Sequence, residues 1–294
     1  MKRGASLGWA FLAIASLVCV VNPLASAAES STAKDKIVLG PNAKLVNEFI
    51  QAVGNDAEAA KLFLKNNKDF LKDGEGSTAL VESAKRGHGR VVEVLLSKGA
   101  NIQGSDSKGR TAVHFAALCS KQHHVRHGIC PEEVGYKGEE YDSHHDTMER
   151  LVRFEGSPMD AVDDEGRTAL MYAAMQGHSD IVDVLLENGA DPTISDKSGW
   201  SAIFYCALYN REKILEKLLK DGRTDINSKD LMGYVPLVTA SEQGWKQSVL
   251  ILLSFGANPL IKCRNGKLPS EHARGFGHTE IAEILQEYER RSEL

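Results

Sequence analysis

The chain has 294 residues, 42% of them hydrophobic, with 35 basic against 40 acidic side chains and a net charge of −5. That length suits one elongated solenoid or two globular domains. An acidic chain with no basic stripe argues against nucleic acid or an anionic membrane as partner. At the N-terminus Lys2 and Arg3 precede an apolar run over 7–21, LGWAFLAIASLVCVV, and then the small residues Ala25, Ser26 and Ala27. This order predicts a secretory signal peptide over 1–28, cleaved near Ala27/Ala28. The run is short for a membrane span of about 20 residues, so cleavage is expected, with no membrane insertion afterwards. Lipid attachment at Cys19 is disfavoured because Leu17 and Val18 precede it, where a small residue is needed. Loss of Lys2 and Arg3 removes two positive charges and takes the net charge from −5 to −7. Residues 29–40, ESSTAKDKIVLG, read as a polar linker. The chain contains no Asn-x-Ser/Thr acceptor with a permitted middle residue, which leans toward bacterial export, to the periplasm or the medium. The final RSEL departs from a retrieval tail at its Ser.

From residue 41 onward the chain repeats. LVNEFIQAVG and AEAAKLFLKNN read as two short helices, and Gly54 lies 33 residues before Gly87. A marker then recurs at Thr78, Thr111, Thr168, Ser201, Val235 and Leu268, with separations of 33, 57, 33, 34 and 33. KGAN at 98, NGAD at 188 and FGAN at 255 keep the same phase, as does Gly-His at 87, 177 and 277. In the copy GRTALMYAAMQGHSDIVDVLLENGAD over 166–191, small residues fill the first half and Ile181, Val182, Val184, Leu185 and Leu186 the second. Gly177 separates two helices, the first packing closely through its alanines. The Asp-x-x-Gly runs Asp163–Gly166, Asp196–Gly199 and Asp230–Gly233 set tight turns. One copy cannot bury its apolar face alone, so neighbours must stack on it. The expectation is an all-α solenoid of about seven helix-turn-helix repeats with turn fingers over 41–294, degenerate at both ends, about 60–70 Å long.

On these residues the chain resembles the ankyrin repeat family: the Asp/Gly turn, Thr-Ala-Leu, an Ala pair, Gly-His, a Val/Leu run and Gly-Ala-Asp/Asn, in phase over roughly 73–290. The resemblance makes His88, His178 and His278 structural. It gives His114 a hydrogen bond to its turn and makes Cys206 a small buried residue. It also implies that a protein partner is held by the fingers and the concave face. The outward positions are those before each marker and the two before the mid-repeat Gly. In the fourth repeat they are Asp164, Glu165, Arg167, Met175 and Gln176; in the fifth, Lys197, Ser198, Trp200, Leu208 and Tyr209. In the sixth they are Leu231, Met232, Tyr234, Glu242 and Gln243, with Trp245 in place of His. Clustered aromatics with Leu and Met at such sites suit a binding surface that buries about 1,200–2,000 Å². The alternative is that some turn inward and pack between fingers.

The 57-residue spacing holds an insert at about 120–145, and five of the ten histidines fall there: His123, His124, His127, His144 and His145. Three readings stay open. Cys119 and Cys130 could pair as a disulfide in an exported protein. His123, His127, Cys130 and His144 could hold zinc or copper, although no fixed zinc spacing is matched. Otherwise the segment is a solvated loop. Cys263 takes the finger position that Asp holds elsewhere and is expected to be free. There is no Gly-x-Ser-x-Gly, His-Glu-x-x-His or Gly-x4-Gly-Lys-Ser/Thr, so no catalysis and no cofactor are expected. Asp160, Asp163, Asp164 and Glu165 read as finger residues. The reading is a monomeric, exported protein-binding module. Narrower versions are an inhibitor or immunity protein of an exported lipase or toxin, and a helper of a redox or metal enzyme working through the insert.

Overall fold

The computed structural model describes residues 43–71, 75–118 and 144–292. The expected signal peptide and linker, and Cys119, His123, His124, His127 and Cys130, lie outside the described residues. Fourteen helices are described, in seven antiparallel pairs. The first three pairs are α1 (Ala43–Val53) with α2 (Ala57–Asn66), α3 (Glu75–Lys85) with α4 (Gly89–Ser97), and α5 (Ala112–Leu118) with α6 (His144–Val152). Then follow α7 (Ala169–Gln176) with α8 (Ser179–Glu187), and α9 (Ala202–Leu208) with α10 (Glu212–Asp221). The last are α11 (Pro236–Gln243) with α12 (Lys246–Ser254), and α13 (Pro269–Gly275) with α14 (Thr279–Ser292). The odd-numbered helices stack on one another as an inner row from α1 to α13, and the even-numbered ones as an outer row from α2 to α12. This is the repeating solenoid that the spacing of the markers predicts.

The fourth repeat shows how sequence makes the unit. Thr168 caps α7, its hydroxyl accepting from the Met171 N–H at 3.3 Å, and Gly177 ends it in the left-handed region at φ 85°. Ala169, Ala173 and Ala174 are fully buried. With no side chain beyond Cβ, they let α7 approach α5 and α9. Helix α8 turns Ile181, Val182, Val184 and Leu185 into the core.

The fingers are built around an aspartate. Asp106, Asp163, Asp196 and Asp230 each accept two backbone N–H groups of their own turn through Oδ1, at 2.7–2.9 Å. Successive fingers are joined by backbone bonds: Asp164 N–H to Lys108 O at 2.9 Å, Lys197 N–H to Glu165 O at 3.0 Å, and Leu231 N–H to Ser198 O at 3.1 Å. In the last finger Cys263 cannot take this role, and Asn265 Oδ1 accepts from the Lys267 N–H instead, at 3.0 Å. At Gly199, φ is +83° and an added Cβ would stand 3.0 Å from Asp230 Cα and the Leu231 nitrogen. Gly199→Ala is therefore expected to cost about 1–3 kcal/mol, because both the strain and the clash are with backbone. A urea midpoint unchanged from wild type would contradict this.

Candidate partner-binding surface

The surface expected from the sequence divides in two. Met175 and Leu208, expected to face outward, are only 2% and 5% exposed. Every residue of α7 and α9 is buried, because each short inner helix is clamped between neighbours and against its own outer helix. No face is left over for a partner there. Gln176 and Glu242 are buried for the same reason.

Trp200, Tyr209 and Tyr234 are half-buried against the core. The Trp200 indole N–H donates to Asp230 Oδ2 at 2.9 Å, and its ring stacks on Phe204 at 5.6 Å between centroids. The Tyr234 ring meets His272 at 5.4 Å. Burial pushes the Tyr234 hydroxyl up to about 12, with Glu242, Cys263 and Asp230 adding to the effect. Arg167 is likewise committed: its Nε donates to Asp163 Oδ2 at 3.1 Å, and its guanidinium lies 5.1 Å from the Tyr172 ring centroid. Trp200, Tyr234 and Arg167 thus turn inward among the fingers, as the inward-packing alternative has it, and Tyr209 packs against the core at the end of α9.

What stays open to solvent is the fingertips. Leu231 and Met232 are 63% and 57% exposed, and Lys197 on the preceding finger is also exposed. Below them Asp230 fixes the backbone of the sixth finger through the Met232 and Tyr234 N–H groups, while Trp200 holds its second oxygen. Two large apolar side chains thus stand on a finger whose backbone is already ordered.

Trp245 has a different part from that of an anchor. It is exposed at its edge, but its indole N–H donates to Leu208 O at 2.9 Å. The same bond recurs along the stack from different residue types. His178 Nδ1 meets Ala117 O at 2.8 Å, Arg211 Nη2 meets Met175 O at 2.8 Å, and His278 Nε2 meets Glu242 O at 3.0 Å. A carbonyl only accepts, so in each histidine the nitrogen involved carries the proton. Each bond satisfies a carbonyl that the end of an inner helix leaves over. His114 meets the expectation of a turn contact: Nδ1 accepts from the Thr111 N–H at 3.1 Å, and Nε2 reaches Arg167 O at 3.0 Å in the next repeat.

His144, offered as a metal ligand, is buried at the start of α6 with Nε2 on Lys85 O at 3.2 Å. Its ring thus bonds the second repeat, which leaves that nitrogen unavailable to a metal. No group of three or more His, Cys, Asp or Glu residues placed to hold a metal occurs among the described residues. Cys206 and Cys263 are free and buried. Burial raises both thiols, Cys263 to about 11, so neither is a thiolate at neutral pH.

Sequence reasoning missed Phe276, which is exposed. It sits just before the mid-repeat Gly277, so the rule applied to the fourth, fifth and sixth repeats would have found it in the seventh.

A protein-family model for ankyrin repeats (three copies) matches residues 49–127 and 140–230, more than half of the chain. The chain belongs to the ankyrin repeat family. Similar proteins include an ankyrin repeat and SOCS box protein 3 of Bos taurus, 34% identical over 178 residues, covering 60% of this chain and 30% of that protein. The probable E3 ubiquitin-protein ligase XBOS32 of Oryza sativa subsp. japonica is 28% identical over 157 residues, covering 47% and 30%. The human transient receptor potential cation channel subfamily A member 1 is 28% identical over 233 residues, covering 78% and 19%. The chain thus spans less than a third of each of these relatives. Ankyrin repeats bind proteins, and among the described residues no helix is long and apolar enough to cross a membrane.

Proposed function

We propose that this chain is an exported ankyrin-repeat module that captures a protein partner on its fingertips. The observation that carries the reading is the pair Leu231 and Met232, more than half exposed on a finger already fixed by Asp230. Large apolar side chains that are exposed yet rigidly mounted lose little entropy when a partner covers them, which is what a binding hot spot requires. Lys197 beside them adds a charge at the rim, where it would affect association rate more than affinity. The half-buried Trp200 and Tyr234 support this finger from beneath.

Export rests on the basic pair Lys2 and Arg3, the apolar run and the small residues at 25–27. It would place the partner in the cell envelope or the medium, and an exported lipase or toxin held inactive on the fingers is the class we favour. The test uses protein purified from envelope and cytosolic fractions, with its N-terminus sequenced and its partner captured from envelope extract. We expect a start near Ala28 and a partner whose binding falls roughly thirty-fold, about 2 kcal/mol, in Leu231→Ala/Met232→Ala. A start at Met1 in the cytosol would sink export. Undiminished capture by the folded double variant would move the site off the fingertips.

A further inference from the structure

Away from the fingers, the first two repeats form a cavity of about 430 Å³ with Leu64 and Leu71 in its lining. Lys61, Lys65, Lys68 and Lys98 complete the lining with Asn67, and among the described residues no acidic side chain joins them. Lys61 and Lys65 are one turn apart on α2, Lys68 follows its end, and Lys98 caps α4 in the next repeat. Four exposed lysines thus line one cavity in a chain whose net charge is −5.

Part of this gathering has a structural cause. Lys61 is paired with Glu58 at 2.7 Å. The C-termini of α2 and α4 each act as about half a negative charge, which Lys65 and Lys98 offset. Lys65, Lys68 and Lys98 have no carboxylate partner among the described residues. Three charges against two half-charges leave a surplus of about two.

We propose that this cavity binds a compact, non-aromatic phosphate anion, a phosphate monoester or pyrophosphate. Ammonium groups act as point charges suited to phosphate, whereas planar carboxylates are selected by the arginine fork, and the described lining has no arginine. It also has no aromatic ring on which a nucleobase could stack. Leu64, Leu71 and the lysine stems would receive a short aliphatic body. The volume is toward the low end of small-ligand sites, about 300–1,000 Å³. Asn67 Nδ2 donates to Phe63 O at 2.9 Å, which leaves the amide oxygen to accept a ligand hydroxyl.

The same chemistry is offered by free glycerol 3-phosphate and by the phosphatidic acid headgroup, and two arms separate them. The full chain is titrated calorimetrically with pyrophosphate and with glycerol 3-phosphate, at low and high salt. It is also floated with phosphatidylcholine vesicles with and without phosphatidic acid. Lys65→Gln/Lys68→Gln/Lys98→Gln is run beside it, with circular dichroism to confirm folding. Saturable binding of a soluble probe, weakened by salt and at least tenfold weaker in the variant, supports the site with a free ligand. Flotation on phosphatidic acid alone, lost in the variant, supports it with a lipid source. No binding in either arm, or binding equal in wild type and variant, overturns the proposal.

Discussion

Asp163→Ala lowers the unfolding free energy by about 3–5 kcal/mol, the cost of removing one partner from a buried charge pair. Asp163 is buried, and through Oδ1 it accepts from the Glu165 and Arg167 N–H groups at 2.9 and 2.8 Å. Through Oδ2 it accepts from the Tyr172 hydroxyl at 2.6 Å and from Arg167 Nε at 3.1 Å. Burial pushes its carboxyl up, but the Tyr172 hydroxyl and Arg167 outweigh that and hold it below the usual range. Alanine strands a half-buried guanidinium and a buried phenol, and it releases the turn that bonds to the finger before it. Asp163→Asn keeps an acceptor for the turn and is expected to cost less. Urea melts of the two variants decide the matter. A loss below about 1 kcal/mol for the alanine would show that the finger holds without its aspartate.

Acid weakens the fold over a defined window. Burial, with smaller contributions from Arg86 and His144, lowers His88 from 6.5 to about 4. The unfolded chain takes up a proton as the pH falls below 6.5, whereas the folded chain resists it until about 4. Stability from this group is present above pH 6.5 and is lost as the pH falls toward 4, up to about 3 kcal/mol in all. His114 is lowered by burial and acts in the same direction. Asp163, also lowered, adds a loss at more acid pH. Urea melts at pH 7, 5.5 and 4.5 should show a declining midpoint, and His88→Gln should flatten part of the decline. Parallel curves for wild type and variant would show that His88 is not the source.

Both effects concern residues whose place was readable from spacing. The period near 33 fixed the stack, the finger aspartates and the mid-repeat glycines, because those residues answer local needs of a turn or a helix end. The side chains at Met175 and Leu208 were misjudged because their exposure depends on the neighbouring repeats, and a single copy does not encode that. Trp200 and Tyr234 look like anchors in a list of residue types. In space, Trp200 has Asp230 and Phe204 as partners, and Tyr234 has His272. Leu231 and Met232 stand outward, as their place before the marker implies, because they lie at the tip of a finger. The lysine-lined cavity gave no motif at all: its members come from two repeats, 37 residues apart at the extremes, Lys61 and Lys98.

The bonds from the outer helix starts to the inner helix ends of the repeat before bear on how the third repeat is held. Inner helix α5 ends at Leu118 and α6 begins at His144. His144 is tied to Lys85 on one side, and Ala117 is tied to His178 on the other. The end of α5 and the start of α6 are therefore both pinned by neighbouring repeats. The third repeat is thus buttoned to both of its neighbours at its helix ends, so its register follows theirs.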